Sequence, residues 1–447
     1  MTQPLSIEAG EKGSAAQTLS PARPVSLQRT VLGACAGALM EYYDFSIYAT
    51  LTIYLSLSFF PPDNPAIAVL LAVSSMGVAF VVRPIGGFIF GSLGDRWGRR
   101  KIFIVTLFLM SVATIGIGAL PGYATLGVAA PILLVGLRVL QGFAVGGEYA
   151  AASTYVVEHS PRKKRGYYTG WLASMAGTAI VLALLAVALV QTTMSKADFQ
   201  AWGWRVPFLL ATLLLVVSLV IRRQLSESPV FRELERTGRT ARTPLGDILG
   251  NWPAAREILA VSIGISAPQV TSGVVGSMLS LYLLQTLTSV DPATSNLLVA
   301  AGCISAIPMT VFAGWLSDYR GRRTVQIAGM ALGVLFYIPL FHALLASIGN
   351  KPLALLIIVA LQVPSSLVVG AAFSAIPEIF PAERRATSVA IVSSLGGVIG
   401  GLAPAISLWL TNKGGLTLGA AWPVAILLVG MIVNWRWVPS RTGAEIL

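Results

Sequence analysis

Charged residues, cysteines and histidines are scarce in this chain of 447 residues. Only 11% of the residues are Asp, Glu, Lys or Arg, whereas a soluble domain carries about 25%. This shortage excludes a soluble enzyme and a disordered protein, because neither could keep its surface hydrated with so few charges. Two cysteines, Cys35 and Cys303, and two histidines provide neither a disulfide framework nor an ordinary zinc site.

Several motifs of catalytic and cofactor sites are also missing. The chain has no Gly-Lys-Ser/Thr for nucleotide phosphates, no Gly-x-Ser-x-Gly of serine hydrolases and no His-Glu-x-x-His of zinc proteases. We therefore expect no cofactor, no metal and no catalytic residue. A membrane-embedded enzyme is disfavoured for the same reason.

Apolar residues are abundant instead. They make up 55% of the chain, and the mean hydropathy is +0.76. About 20 apolar residues are needed to cross a bilayer, and twelve such segments lie between residues 29 and 438. Lipid cannot satisfy open backbone groups, so these segments must be helical. The sequence predicts an all-α membrane protein with twelve transmembrane helices.

Polar stretches divide this chain into domains. The Ser-, Ala- and Pro-rich residues 1–28 are predicted to be a disordered cytosolic tail. Residues 222–257 contain seven arginines and three prolines, and are predicted to be a cytosolic linker. Six apolar segments precede this linker, within 29–221, and six follow it, within 258–438. Residues 439–447 form a second short tail.

The distribution of basic residues predicts the orientation. Arginines and lysines cluster in the linker and in the loops around Arg99, Arg165, Arg322 and Arg385, on the side of the two termini. By the positive-inside rule this side is cytosolic, as in a multi-pass protein of the bacterial inner membrane. The net charge of +12 then reflects loops beside anionic lipid, and no nucleic acid is expected as a partner. A monomer is expected.

Two loop motifs occur twice. Gly-Ser-Leu-Gly-Asp95-Arg-Trp-Gly-Arg-Arg is matched by Gly-Trp-Leu-Ser-Asp318-Tyr-Arg-Gly-Arg-Arg. Glu158-His-Ser-Pro-Arg-Lys-Lys-Arg165 is matched by Glu378-Ile-Phe-Pro-Ala-Glu-Arg-Arg385. Both pairs are separated by about half the chain, which indicates duplicated six-helix halves. Such a duplication is typical of transporters with a central site.

The first of these loops resembles the signature of the major facilitator superfamily. Three further segments resemble its metabolite:proton symporter family: Glu41-Tyr-Tyr-Asp44-Phe, Arg83-Pro-Ile-Gly-Gly, and Arg138-x-x-Gln141-Gly-x-x-x-Gly-Gly-Glu148. So does Trp202-Gly-Trp-Arg-Val-Pro-Phe. The resemblance implies two pseudo-symmetric six-helix bundles, alternating access and import of a small metabolite together with a proton.

The resemblance implies carboxylic acids or zwitterionic osmolytes as substrates. We expect proton-coupled symport of a small organic acid, namely a mono-, di- or tricarboxylate. The alternative is a zwitterionic osmolyte or an amino acid, ranked second because osmosensing members carry a long C-terminal extension, whereas this chain stops at Leu447. A channel is disfavoured, since a channel would not explain the duplicated loops.

Ionisable residues within the apolar segments are candidates for proton coupling, because each costs about 2.5–3.5 kcal/mol to insert in a bilayer. Asp44 facing Arg138 would form a switchable ion pair, in which protonation of the carboxylate frees the guanidinium. The alternative is a permanent pair that only holds two helices together. The proton-coupling candidates are Asp44, Arg138, Glu148 and Glu41.

Arg83 is the leading candidate for substrate binding. Its guanidinium could bind a carboxylate in bidentate fashion, or it could be a counter-ion for Glu41 or Glu148. Arg83 and Arg138 are expected to be the only cations buried in the spans. The substrate-binding candidates are Arg83, Tyr42, Gln141 and Gln269.

The duplicated loops are predicted to form a cytosolic gate. Asp95 is expected to cap the facing helix of the opposite half and to pair with arginines. The alternative is that these basic loops only orient the chain. The gate candidates are Asp95, Arg96, Gly98, Arg99, Arg100, Glu158, Arg165, Asp318, Arg322, Arg323, Glu378 and Arg385.

Overall fold

The computed structural model describes residues 27–61, 65–223, 225–240, 244–440 and 443, and this part of the chain contains helices and no strand. Nearly all of the predicted tail 1–28, and most of the tail 439–447, lie outside the described residues. The long helices are α1 (Leu27–Phe59), α2 (Pro65–Trp97), α3 (Arg99–Ala119), α4 (Ala129–His159), α5 (Arg165–Thr193), α6 (Arg205–Arg223), α7 (Trp252–Leu287), α8 (Pro292–Arg320), α9 (Arg322–Ala346), α10 (Lys351–Ile379), α11 (Arg385–Gly401 and Ala403–Gly414) and α12 (Leu416–Trp437).

Eleven of the described helices are long and apolar enough to cross a membrane. The twelfth is α1, whose 33 residues exceed the length that a bilayer requires. Polar residues such as Glu41 and Asp44 lower its hydropathy. The prediction of an all-α membrane protein with twelve spanning helices is confirmed.

Short linker helices connect α6 to α7. One of them, Pro229–Arg236, begins at Ser228, whose hydroxyl accepts a hydrogen bond from the backbone N–H of Phe231. Its buried face packs with Val157 of α4 and with Ala382 in the loop before α11. α6 extends to Arg223 and α7 begins at Trp252, so the connecting segment is shorter at both ends than the predicted linker 222–257.

The helix α7 contains two π-helical segments, Ser262–Ser266 and Val275–Leu279. A π-helical turn is wider than an α-helical turn, and it frequently marks a functional position. Both segments contribute residues to the central cavity described below. The neighbouring helix α11 is interrupted at Leu402.

The two halves pack against each other through equivalent helices. In one contact α2 lies against α11, and in the other α5 lies against α8. Glycines allow this close approach, since a Cβ on Gly166 would lie 2.2 Å from the carbonyl oxygen of Gly314. A Cβ on Gly91 would lie 2.9 Å from Thr387. The matched pairing of helices reflects the internal repeat of the sequence.

Candidate functional site

A cavity of about 180 Å³ lies between the two halves. It is lined by α1, α2, α4 and α5 of the first half and by α7, α10 and α11 of the second. Four predicted site residues line it: Glu41, Tyr42, Arg83 and Gln269. Gln141, predicted to bind substrate, is not among its lining residues.

Arg83 brings a positive charge to this cavity. Its guanidinium lies over the ring of Phe80, with 4.2 Å between the guanidinium carbon and the ring centroid. Among the described residues Arg83 has no ion-pair partner within 4 Å, and its Nε is buried without a hydrogen-bond partner. Glu41 lines the same cavity, also with no ion pair to a described residue. The cavity therefore offers one cation and one carboxylate that are not paired with each other.

Several aromatic rings also line the cavity. Tyr149 and Phe373 approach with their ring centroids 4.7 Å apart, and Phe45 and Phe80 with theirs 5.5 Å apart. Tyr149 also donates a hydrogen bond of 3.3 Å from its hydroxyl to Oε1 of Gln269. The electron-rich faces of such rings attract cations, including quaternary ammonium groups.

Asp44 lies one helical turn beyond Glu41 and forms a separate buried network. Its Oδ1 accepts hydrogen bonds from the Thr114 hydroxyl at 2.8 Å and from Nε2 of Gln141 at 2.7 Å. Nη1 of Arg138 lies 3.4 Å from Oδ2 of Asp44 and donates at 2.7 Å to Oε1 of Gln141. The Arg138 guanidinium also lies over the ring of Tyr48, at 3.2 Å from its centroid. The structure thus places Gln141 with the proton-coupling candidates.

Glu148 pairs with an arginine that the sequence analysis assigned to the linker. Nη2 of Arg222, in the last turn of α6, lies 2.5 Å from Oε1 of Glu148. The Thr106 hydroxyl donates to Oε2 of the same carboxylate at 2.6 Å. Arg222 is fully buried, so the expectation that Arg83 and Arg138 are the only buried cations is wrong. A Cβ on Gly37 would lie 1.4 Å from Nη2 of Arg222, so a larger residue at this position would have to displace the guanidinium.

Two equivalent networks link the halves at the end of the bundle that carries Asp95 and Asp318, here called the basic end. In the first, Asp95 of α2 accepts hydrogen bonds from the backbone N–H groups of Ala386 and Thr387, at 3.1 and 2.8 Å. Asp95 therefore caps the start of α11 in the opposite half. Arg99 lies 3.2 Å from Asp95 and 3.6 Å from Glu158. Arg385 lies 2.8 Å from Glu158.

The second network repeats the first with the halves exchanged. Asp318 of α8 accepts hydrogen bonds of 2.9 Å from the backbone N–H groups of Gly166 and Tyr167 at the start of α5. Arg322 lies 2.7 Å from Asp318 and 3.1 Å from Glu378. Arg165 lies 3.5 Å from Glu378, which matches the position of Arg385 beside Glu158.

The remaining gate candidates lie outside the two networks or at their margins. Arg96 is exposed and has no hydrogen bond or ion pair with a described residue. Arg100 donates to the carbonyl of Arg223 at 2.7 Å, and Arg323 donates to that of Val438. Gly98 has a φ of 104°, which glycine adopts at no steric cost, and its backbone turns the chain from α2 into α3.

Several residues of these networks were missed in the sequence analysis, among them Glu227, Arg222, Thr114, Tyr48 and Thr106. Glu227 accepts hydrogen bonds from the backbone N–H groups of Arg99 and Arg100 and so caps α3. Arg222 contacts Glu148, Thr114 contacts Asp44, and Tyr48 contacts Arg138. A signal for Arg222 existed, because it directly follows the sixth apolar run and one more helical turn would bury it. Thr114 and Tyr48 give no such signal, since hydroxyl groups are common in spanning helices.

Sequence comparison places the chain among known transporters. The family model described as "Sugar (and other) transporter" matches residues 30–261, and that of the "Major Facilitator Superfamily" matches residues 261–445. The proline/betaine transporter of Escherichia coli is 32% identical over 91% of this chain and 83% of its own. A glycine betaine/proline/ectoine/pipecolic acid transporter of Dickeya dadantii is 32% identical over 91% and 82%. The Escherichia coli shikimate transporter is 34% identical over 84% and 85%.

Comparison with solved structures supports the same fold. The proton:xylose symporter XylE, bound to 6-bromo-6-deoxy-D-glucose, superimposes with a TM-score of 0.76 at 19% identity, over 94% of this chain and 97% of that one. Together with the family models and the relatives, this confirms the resemblance inferred from the loop and helix motifs. This chain is a multi-pass membrane transporter and belongs to the major facilitator superfamily.

Proposed function

We propose that this chain carries a small zwitterion of the betaine or proline class across the membrane together with a proton. The observation that supports this most directly is the central cavity. It presents the Arg83 guanidinium without an ion-pair partner among the described residues, beside a set of aromatic rings and the Glu41 carboxylate.

The expectation of an organic acid as the main substrate is contradicted by the comparisons. Relatives that are similar over 91% of the chain are named for proline, betaine, ectoine and pipecolic acid. These names favour the alternative that the sequence analysis ranked second. That ranking relied on the chain's end at Leu447, which says nothing about what the cavity binds.

The charges in the cavity suit a zwitterion better than a dicarboxylate. A substrate carboxylate would make a bidentate contact with Arg83. The ammonium group would then be attracted to the aromatic faces by about 0.5–2 kcal/mol, and to Glu41 by its charge. A second carboxylate in the place of the ammonium group would meet Glu41 as a like charge in a buried site, which is unfavourable.

Proton coupling is assigned to Asp44 and its partners. When Asp44 is ionised, Arg138 and Gln141 bind its two oxygens and connect α1 to α4. Protonation would weaken the contact with Arg138 and free α1 to shift. Because Glu41 lies one turn away on α1, that shift would also move Glu41 in the central cavity.

The two networks at the basic end describe one state of the transport cycle. Each aspartate caps a helix of the other half, so the halves are held together at this end. If the basic end is cytosolic, as the positive-inside rule predicts, the cavity is closed towards the cytosol in this structure. Release to the cytosol would then require both caps to break.

Transport by purified protein in liposomes tests the proposal. We expect accumulation of labelled proline or glycine betaine when an inward proton gradient is imposed, and only equilibration when it is collapsed by an uncoupler. Unlabelled shikimate and succinate, as competitors, should reduce uptake less than unlabelled betaine does. Preference for either acid, or uptake indifferent to the gradient, would overturn the proposal.

A further inference from the structure

A second cavity of about 60 Å³ adjoins the central one, between α5 of the first half and helices of the second half. It lies among α5, α7, α8 and α10, whereas the central cavity has no lining residue from α8. The two cavities share six lining residues: Ala173, Ala176, Ile180, Gly273, Ser277 and Val369. We call the second one the side cavity. Its volume exceeds that needed for a single water molecule.

Hydroxyl and amide groups give the side cavity its chemistry. Gln362 and Ser365, both on α10, are no more than 5% exposed. Gln362 donates from Nε2 to the carbonyl of Gly276, at 2.7 Å, and its Oε1 accepts no hydrogen bond from a described residue. Ser365 has no hydrogen bond to any described residue, although most buried hydroxyls are satisfied. These two groups therefore present a free acceptor and a free hydroxyl.

The hydroxyl pair beside them adds further hydrogen-bonding capacity. Thr310 of α8 donates to Oγ of Ser366 at 3.3 Å, which leaves the Ser366 proton without an acceptor among the described residues. Among the described lining residues none is charged, so the side cavity would not stabilise a carboxylate or an ammonium group. Its polarity suits a neutral group that both donates and accepts.

Gly273 lies where the two cavities adjoin. It lines both of them, and a Cβ at this position would meet only Cγ2 of Val369, at 3.9 Å. The absence of a side chain here leaves open space where any larger residue would project. A substituent on a substrate held in the central cavity could therefore reach Ser365 and Gln362.

We propose that the side cavity is a specificity subsite that binds a neutral hydroxyl or N–H substituent of the zwitterion, through Ser365 and Gln362. Arg83 and the aromatic rings bind the charged groups of the substrate. The side cavity distinguishes substrates by their uncharged substituent. A buried site that offers hydrogen bonds disfavours analogues that lack the partner group. This inference rests on the proposed function, because it requires a zwitterion in the central cavity.

Matched pairs of zwitterions that differ by one hydroxyl provide the test. Suitable pairs are proline with trans-4-hydroxyproline, ectoine with hydroxyectoine, and γ-butyrobetaine with carnitine. These compounds are used as unlabelled competitors of labelled proline or glycine betaine uptake. In at least one pair, we expect the hydroxylated member to inhibit uptake by the wild type at about tenfold lower concentration than its parent compound. Ser365→Ala should reduce the ratio of the two inhibitory concentrations to about one, while the parent compound inhibits uptake as it does in the wild type. Ser365→Thr, which keeps the hydroxyl, should restore most of the preference.

Ser374→Ala provides the matched control on the same helix. Ser374 is fully buried, donates to the carbonyl of Ala371 and lines neither cavity. If Ser365→Ala leaves the ratio of inhibitory concentrations unchanged in all three pairs, the side cavity holds water only. This result would overturn the proposed subsite and leave the proposed function standing. Failure of every zwitterion to compete would overturn both.

Discussion

Asp95 and Asp318 occupy equivalent positions in the two halves, and each caps the first turn of a helix in the opposite half. Asp95 accepts from the backbone N–H groups of Ala386 and Thr387, and Asp318 accepts from those of Gly166 and Tyr167. A carboxylate at a helix N-terminus is stabilised both by these hydrogen bonds and by the helix dipole. Four charge-assisted hydrogen bonds therefore tie the halves together at the basic end.

Asp95→Ala should favour opening of the basic end. Loss of a capping residue costs about 1 kcal/mol or more, enough to change a two-state population about fivefold. The measurement uses the variant S393C in a background in which Cys35 and Cys303 are replaced by alanine. A membrane-impermeant maleimide is added on the side of the basic end, and its rate of reaction with the new cysteine is measured. Ser393 lines the central cavity. We expect that rate to rise about fivefold.

Asp291→Ala is the control for this experiment. Asp291 caps α8 within its own half by accepting from the backbone N–H of Thr294, at 2.9 Å. Its loss removes a cap of the same kind without releasing the opposite half. Equal labelling rates in both variants would mean that Asp95 stabilises α11 without acting as a gate.

Asp44→Asn should abolish gradient-driven accumulation and preserve exchange of labelled for unlabelled substrate. The amide can still accept from Thr114 and Gln141, but it cannot gain and lose a proton between pH 5 and 8. Accumulation and exchange are measured in the same liposomes. Asp198→Asn, at an exposed position, should behave like the wild type. Unchanged accumulation in Asp44→Asn would identify the Asp44–Arg138 contact as a permanent structural pair.

Arg83→Lys should weaken zwitterion binding about tenfold or more, because an ammonium group cannot make the bidentate contact with a carboxylate. The half-saturation concentration for proline or betaine uptake gives this ratio directly. Arg205→Lys serves as a control, since Arg205 lies outside the cavity and contacts backbone carbonyls. Wild-type affinity in Arg83→Lys, or preference for a neutral sugar, would refute the role of Arg83.

Removing one partner of the Glu148–Arg222 pair should destabilise the protein more than removing both. Glu148→Gln and Arg222→Met each leave one buried group unpaired, and breaking a buried ion pair costs about 3–5 kcal/mol. We expect both single variants to lower the thermal unfolding temperature in detergent. The double variant Glu148→Leu with Arg222→Met should recover most of the loss, because replacing both charges by apolar groups is often neutral.

Gly37→Ala gives an independent check of that pair. The added Cβ would displace the guanidinium of Arg222, so this variant should lower the unfolding temperature as well. Gly136→Ala, where a Cβ would meet nothing within 4 Å, is its control. If Glu148→Gln and Arg222→Met were as stable as the wild type, the contact between these two residues would make no measurable contribution to stability.

The amino-acid sequence by itself determined the class of fold and the equivalence of the two repeated loops. Apolar runs must be helical in lipid, and the repeated loops place Asp95 and Asp318 at equivalent ends of two halves. The repeated loop also led to the expectation that Asp95 contacts the facing helix of the opposite half. The family could be predicted from the same residues.

Only the tertiary structure decided which buried charges meet. The sequence left Arg83 open as a counter-ion for Glu148. Glu148 instead contacts Arg222, 74 positions away in the sequence, because α4 and α6 both face Gly37 of α1. Gln141 was assigned to substrate binding and instead binds Asp44. Hydrophobic periodicity is weak in helices that are apolar on every side, so it does not determine their rotation. The packing of neighbouring helices determines that rotation, and with it the partner of each buried side chain.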